Sequence, residues 1–197
     1  MSSPTTTRKK SAKKALIVST AAKMFREKGF TGSSMRDLAE NIGIEAASLY
    51  NHIKSKSQIL NEIIGGVATD CKEHLENLET ANGTSLQKIE AMIRFHTQMM
   101  LTRFEEYSVM VNEWIHLDQQ KLAEFATERR QYVKKMEAIV QQGIDKGELK
   151  PLMPYVVVLN ILSSVRGLEF WHKSLKTHTA KEIEENMVAH LIGGIKN

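Results

Sequence analysis

The chain has 197 residues, 42% apolar and 25% charged, with a formal net charge of +4 at neutral pH. That length suits one or two compact units with a hydrophobic core, and the absence of any run of 18 apolar residues excludes a spanning helix. The polar, basic start MSSPTTTRKKSAKK lacks the apolar stretch of a secretory signal, and a single cysteine, Cys71, leaves no intramolecular disulfide, so a cytoplasmic protein is expected.

No proline falls between Pro4 and Pro151, so long helices are permitted over most of the chain. Residues 1–9 read as a disordered basic tail, 10–56 as a first domain and 57–197 as a larger second one. In the first helix, Ile17, Ala21 and Phe25 recur every four residues with Met24 beside them, and Gly29 is the stop signal. Ser34 and Asp37 have the spacing of a capping box before Leu38, Ala39 and Ile42. Gly43 ends that helix, and a third follows over about 45–52. Ser55 and Gln58 cap a long helix of about 56–80, weakened in its middle by Gly65-Gly66. After a break at ANGTS, Thr84 and Gln87 open a helix of about 85–103. Further periods cover about 105–116 and 118–145, then 154–174 after KPLMP, and a last helix from Thr179-x-x-Glu182 to Gly193. No strand alternation or repeat stands out. The fold class expected is all-α with about nine helices.

Charge is unevenly spread. Residues 1–56 carry 11 Lys and Arg against 4 Asp and Glu, whereas the rest carry 16 against 19. Such a basic end suits a surface that meets phosphates, although a solvated basic tail has the same composition. Two short helices joined through Gly43 form a helix-turn-helix, whose second helix enters a DNA major groove. Ala46, Ala47 and Ser48 let that helix approach closely. Ser48, Tyr50, Asn51 and His52 offer groups for phosphates or base edges, and Lys54 and Lys56 can pair with the duplex backbone. Ser33, Ser34 and Arg36 lie at a helix N-terminus, a natural place for phosphate. Ile44, Leu49 and Ile53 form the buried side.

These elements, over residues 11–60, resemble the DNA-binding domain of the TetR family of bacterial transcriptional regulators. The resemblance rests on Ile17, Ala21 and Phe25, on Gly29-Phe30, on SSMRDLAENIGI, and on SLYNHIKSKSQIL, where the family often has Leu-Tyr-x-His-Phe-x-x-Lys. It implies an all-helical homodimer with a small N-terminal DNA-binding domain and a larger domain that binds an inducer and dimerises. Partners would be a double-stranded operator, a small-molecule inducer and a second copy of the chain. Neither a membrane, nor a cofactor, nor enzymatic activity is implied. Two features depart from the family: Glu45 stands where a hydroxyl residue is common, and Ile53 replaces the usual aromatic. Glu45 would repel phosphate unless it accepts from a cytosine amino group. The operator sequence does not follow from the resemblance.

In the larger domain, His96, Met99, Met100, Phe104, Tyr107, Met110, Trp114 and Phe125 are candidate lining of an adaptable apolar cavity, and ordinary core packing gives the same pattern. Asn112, Arg166 and Trp171 join them, with His96, Asn112 and Arg166 as polar groups for an anionic or polar head. The segments GELKP and the Trp-containing penultimate helix resemble TetR-family regulators of fatty-acid or acyl-CoA metabolism. By the same resemblance the last two helices form the dimer surface. Val157, Ile161, Val165 and Leu168 are the candidate stripe on one, and Ile183, Met187 and Leu191 on the other. Internal core is the competing assignment. One constellation points to a different class: Glu113/His116 and Glu169/His172 are two Glu-x-x-His pairs, the spacing that builds di-iron sites in four-helix bundles. With seven histidines and many glutamates, such pairs also arise by chance.

Overall fold

This computed structural model describes residues 4–171 and 177–197. Among them are nine α-helices: α1 (Pro4–Lys28), α2 (Met35–Ile42), α3 (Ala46–Tyr50), α4 (Lys56–Thr80), α5 (Ser85–Thr102), α6 (Phe104–Glu113), α7 (Gln119–Asp145), α8 (Pro154–Trp171) and α9 (Ala180–Ile195). A 3-10 turn, Trp114–His116, follows α6. The all-α expectation holds, and the helix order is the one read from periodicity. None of the described helices is long and apolar enough to cross a membrane. The basic-tail reading changes: α1 starts at Pro4, so residues 4–9 are helical. Proline fits a first helical turn, where its missing N–H costs nothing, and no glycine or proline interrupts the chain before Gly29.

The chain divides into two compact units, Met1–Ala68 with Glu105–Glu124, and Thr69–Phe104 with Phe125–Asn197. The first therefore extends past the boundary expected at residue 56, and takes in α6 and the 3-10 turn. Periodicity tells that a helix buries one face, not what it buries it against.

In the first unit, α1 buries Ile17, Ala21, Met24 and Phe25, and packs against α2. The capping box at α2 is present: Ser34 Oγ accepts from Asp37 N–H at 3.1 Å, and Asp37 Oδ2 accepts from Ser34 N–H at 3.2 Å. Gly43 sits at φ +73, left-handed backbone that a Cβ would strain. Its N–H reaches Glu40 O at 3.0 Å and the Ile44 N–H reaches Ala39 O at 3.0 Å, the paired bonds of a Schellman stop. That stop turns the chain into α3, which packs on α2. At the start of α4, Ser55 Oγ accepts from Gln58 N–H at 3.1 Å. The Gln58 side chain reciprocates one residue early, accepting from Lys54 N–H at 2.9 Å. The helix then runs unbroken through Gly65-Gly66, which lie on its exposed side.

In the second unit α5 packs against α8 and α9. The core joins Leu75 of α4, Ile89, Met92 and Ile93 of α5, Met136 and Val140 of α7, Val158 and Ile161 of α8, and Val188 of α9. Capping boxes open α5 at Thr84/Gln87 and α9 at Thr179/Glu182. Gly143 lets α7 close against its neighbours: a Cβ there would lie 2.7 Å from Leu149 Cδ1 and 2.9 Å from Ser85 Cβ. Arg94 ties α5 to α9, its guanidinium 2.9 Å from Glu184 and 3.0 Å from Glu185, while Glu90 one turn back is at 2.8 Å.

Candidate nucleic-acid interface

α3 presents two opposite faces. Leu49 is fully buried, as is Ile53 just beyond, whereas Ala46, Ala47 and Tyr50 are exposed. Ser48 is half-buried between them. The helix is five residues long, shorter than the span of about 45–52 read from sequence, so Asn51 and His52 fall in the turn after it. Asn51 is exposed there and His52 half-buried. Ser34, Arg36 and Lys54 are exposed too. The exposed side is therefore lean at Ala46 and Ala47, where a groove wall could come close, and polar at Tyr50, Asn51 and Lys54 around it. Glu45 precedes α3 as its N-cap residue and is exposed, with no side-chain cap bond.

Two of the candidates turn inward. Ser33 is buried, and its hydroxyl donates to Gly29 O at 2.8 Å. Ser34 alone is the N-cap, so Ser33 serves the turn before α2 rather than an outer surface. Lys56 donates to Phe30 O at 2.6 Å and Ser33 O at 2.7 Å, with its ammonium 4.3 Å above the Phe30 ring. These carbonyls lack helical partners, and a cation satisfies them better than solvent does.

The cavity candidates divide between the units. Tyr107, Met110, Asn112 and Trp114 belong to the first, and His96, Met99, Met100, Phe104, Phe125, Arg166 and Trp171 to the second. Tyr107, Met99, Met100 and Phe104 are buried, Met110, Asn112, Trp114 and Phe125 half-buried, and Arg166 and Trp171 exposed. His96 is buried, with Nε2 2.8 Å from the Tyr132 hydroxyl. Burial, reinforced by nearby His74, pushes its pKa down to about 3. It is thus neutral at physiological pH, with Nε2 engaged by the Tyr132 hydroxyl, and supplies no charge for an anionic head. Its neighbour Phe95 stacks on His74 with ring centroids 4.0 Å apart. Tyr132 and His74 were missed from sequence, because their contacts join residues on different helices with no local spacing to mark them. Cys71 is buried and its thiol pushed up to about 12 by that burial, an inert state.

The stripe Val157, Ile161, Val165 and Leu168 is buried within the second unit itself, so it is not an outer surface. α8 is largely apolar, and its exposed side carries Tyr155, Val156, Leu159 and Phe170 together with the polar Asn160, Ser163 and Arg166. On α9, Ile183 is half-buried, and Met187 and Leu191 pack against the home core. Of the two Glu-x-x-His pairs, His172 lies outside the described residues. Glu169 is half-buried, and Glu113 and His116 both engage Phe30. Among the described residues no three His, Cys, Asp or Glu side chains come together to hold a metal ion.

Comparison with known proteins covers both units. The profile described as "Tetracyclin repressor-like, C-terminal domain" matches residues 82–195. That of "Bacterial regulatory proteins, tetR family" matches residues 17–63. The HTH-type transcriptional repressor KstR2 of Mycobacterium tuberculosis (strain ATCC 25618 / H37Rv) is 25% identical over 189 residues, 91% of this chain and 90% of that one. The structure of the ketosteroid transcriptional regulator KstR2 of Mycobacterium tuberculosis superposes with a TM-score of 0.87 at 21% identity, covering 94% of this chain and 95% of that one. AibR in complex with isovaleryl coenzyme A and operator DNA superposes with a TM-score of 0.77 at 25% identity, covering 91% of this chain and 97% of that one.

Proposed function

Because the chain belongs to the TetR family of bacterial regulatory proteins, we propose that it is a homodimeric transcriptional repressor, released from a palindromic operator by a small, partly apolar effector. The observation that carries the reading is the two-sided α3, with Leu49 locked in the core and Ala46, Ala47 and Tyr50 facing outward. Each subunit would set α3 in a major groove, the two half-sites lying about one helical turn or a small multiple apart. Lysines and arginines near the N-terminus would pair with phosphates, so affinity should fall steeply with salt.

The effector would bind in the second unit, with Met99, Met100 and Phe104 as the wall for its apolar part. An acyl-CoA thioester carries such a part, and AibR, a protein of similar fold, is complexed with isovaleryl coenzyme A. Release requires that the ligand bind the two states of the dimer unequally. The exposed side of α8, at Tyr155, Val156, Leu159 and Phe170, is the surface assigned to the second copy. Two such faces would remove apolar area from water symmetrically. Leu159→Glu should then yield monomers in sedimentation.

The test is selection of bound sequences from a random duplex library, followed by displacement with isovaleryl-CoA and longer acyl-CoA esters. A palindrome released by one of these esters is the expected result. Recovery of no motif by a folded dimer would refute operator reading. A palindrome that none of the esters displaces would leave the repressor and refute the thioester effector.

A further inference from the structure

The pair Glu113 and His116 has no part in the operator and effector reading, yet both side chains close on one point of the first unit. Glu113 Oε2 accepts a hydrogen bond from the Phe30 backbone N–H at 3.1 Å. The His116 ring stacks on the Phe30 ring, centroids 5.6 Å apart and planes 22° from parallel. His116 Nε2 lies 3.5 Å from Glu113 Oε2. On the same residue, Lys56 donates to Phe30 O at 2.6 Å and sits 4.3 Å over the ring. Phe25 meets the ring edge-on at 5.3 Å. Phe30 is therefore held at its N–H, at its carbonyl and on its ring.

Phe30 occupies the short turn between α1 and α2. Gly29, at φ +76, opens this turn, and Ser34 closes it as the N-cap of α2. A turn begun by glycine has wide conformational freedom when free. Wherever the turn is set, α2 starts, and the Gly43 stop carries that setting into α3. The bonding carboxylate comes from residue 113, which is 83 positions away in the chain, and its side chain is only 17% exposed. A charged acceptor shielded this far makes a stronger bond than a surface one.

We infer that Glu113 and His116 are positioning residues for operator reading. The end of α6 and its 3-10 turn clasp the α1–α2 turn and fix the setting of α2 and α3. The Glu-x-x-His spacing puts both groups on one side of a helical turn, and here that side grips a backbone N–H and a phenyl ring rather than a metal. The inference rests on the operator reading proposed above.

The test compares the full-length wild type with Glu113→Ala, Glu113→Gln and His116→Ala. Binding is measured to the selected palindrome and to a random duplex of equal length, alongside thermal melting and amide exchange at Phe30. Glu113→Ala should weaken palindrome binding by roughly tenfold, the scale of one hydrogen bond to a charged group. Random-duplex binding should stay near wild type, melting should fall by no more than about 3–6 °C, and the Phe30 amide should exchange faster. Glu113→Gln keeps an acceptor oxygen and should restore both palindrome binding and Phe30 protection. His116→Ala should give a smaller loss of the same kind. A Glu113→Ala protein that reads the palindrome as well as wild type overturns this inference alone. So does one whose palindrome and random-duplex affinities fall together with its melting temperature. A wild type with no sequence preference overturns the operator reading, and this inference with it.

Discussion

Leu49 and Tyr50 are neighbours in α3 with opposite surroundings, 0% and 51% exposed. Alanine at each should separate folding from reading. Leu49→Ala deletes a buried isobutyl group, which costs about 2–5 kcal/mol as lost transfer energy plus the cavity left behind. The loss should fall in the lower half of that range, since a helix of five residues can shift to fill part of the space. For a chain of this size each kcal/mol moves the melting temperature by about 2–4 °C, so a fall of roughly 5–10 °C is expected. Tyr50→Ala removes an exposed ring and should change stability by no more than about 0.5 kcal/mol. On the operator it removes a phenol from each subunit. At about 1.5–3 kcal/mol per bond to a charged phosphate, two such losses weaken binding at least about a hundredfold. Thermal melts and fluorescence anisotropy on the selected palindrome read the two effects independently. The reasoning fails if Tyr50→Ala melts as low as Leu49→Ala, or if it still binds the palindrome at full strength.

Other substitutions test the second unit and α4. Gly143→Ala puts a Cβ 2.7 Å from Leu149 Cδ1, and should destabilise by about 1–3 kcal/mol. Gly65→Ala meets open space on the exposed side of α4 and should stabilise by up to about 1 kcal/mol, so their melting temperatures should move in opposite directions. His96 has an ordinary pKa of 6.5 in the unfolded chain and about 3 when folded. Its contribution is complete above pH 6.5 and fades as pH falls toward 3, because the unfolded state takes up a proton that the folded state refuses. Urea titrations across that window should show a shallower loss for His96→Gln, by up to about 1.4 kcal/mol per pH unit. Arg94→Ala removes the tie between α5 and α9. It should lower the melting temperature at low salt, and concentrated salt should shrink the difference from wild type. The Arg94 guanidinium holds the Glu185 carboxyl below its ordinary 4.5, so the stability this pair adds is complete above that pH and fades as pH falls through the lowered value. The margin of the wild type over Arg94→Ala should therefore close in acid, since the variant has no such ion pair to lose.

What the sequence alone determined is what a few consecutive residues can decide. The boxes at Ser34/Asp37, Thr84/Gln87 and Thr179/Glu182 form because cap and acceptor are three residues apart, and no distant group is needed. Gly43 ends α2 through its own backbone freedom. The helix-turn-helix and the all-α class follow from such signals. Direction was another matter. Ser33 and Ser34 are adjacent, yet one serves as cap and the other bonds Gly29 O, because only the folded turn brings that carbonyl near. Lys56 looked outward from its charge, until the turn carbonyls of Phe30 and Ser33, which no helical N–H reaches, drew it in. α8 is apolar on most sides, so its period revealed a stripe but not which side the home core would take. Tertiary packing chose Val157, Ile161 and Val165, and left Tyr155, Leu159 and Phe170 outside. His96 with Tyr132, and Glu113 with Phe30, are 36 and 83 residues apart. Contacts at that range carry no periodic trace in the chain, since their cost is loop closure and their return comes only when the separate helices have packed.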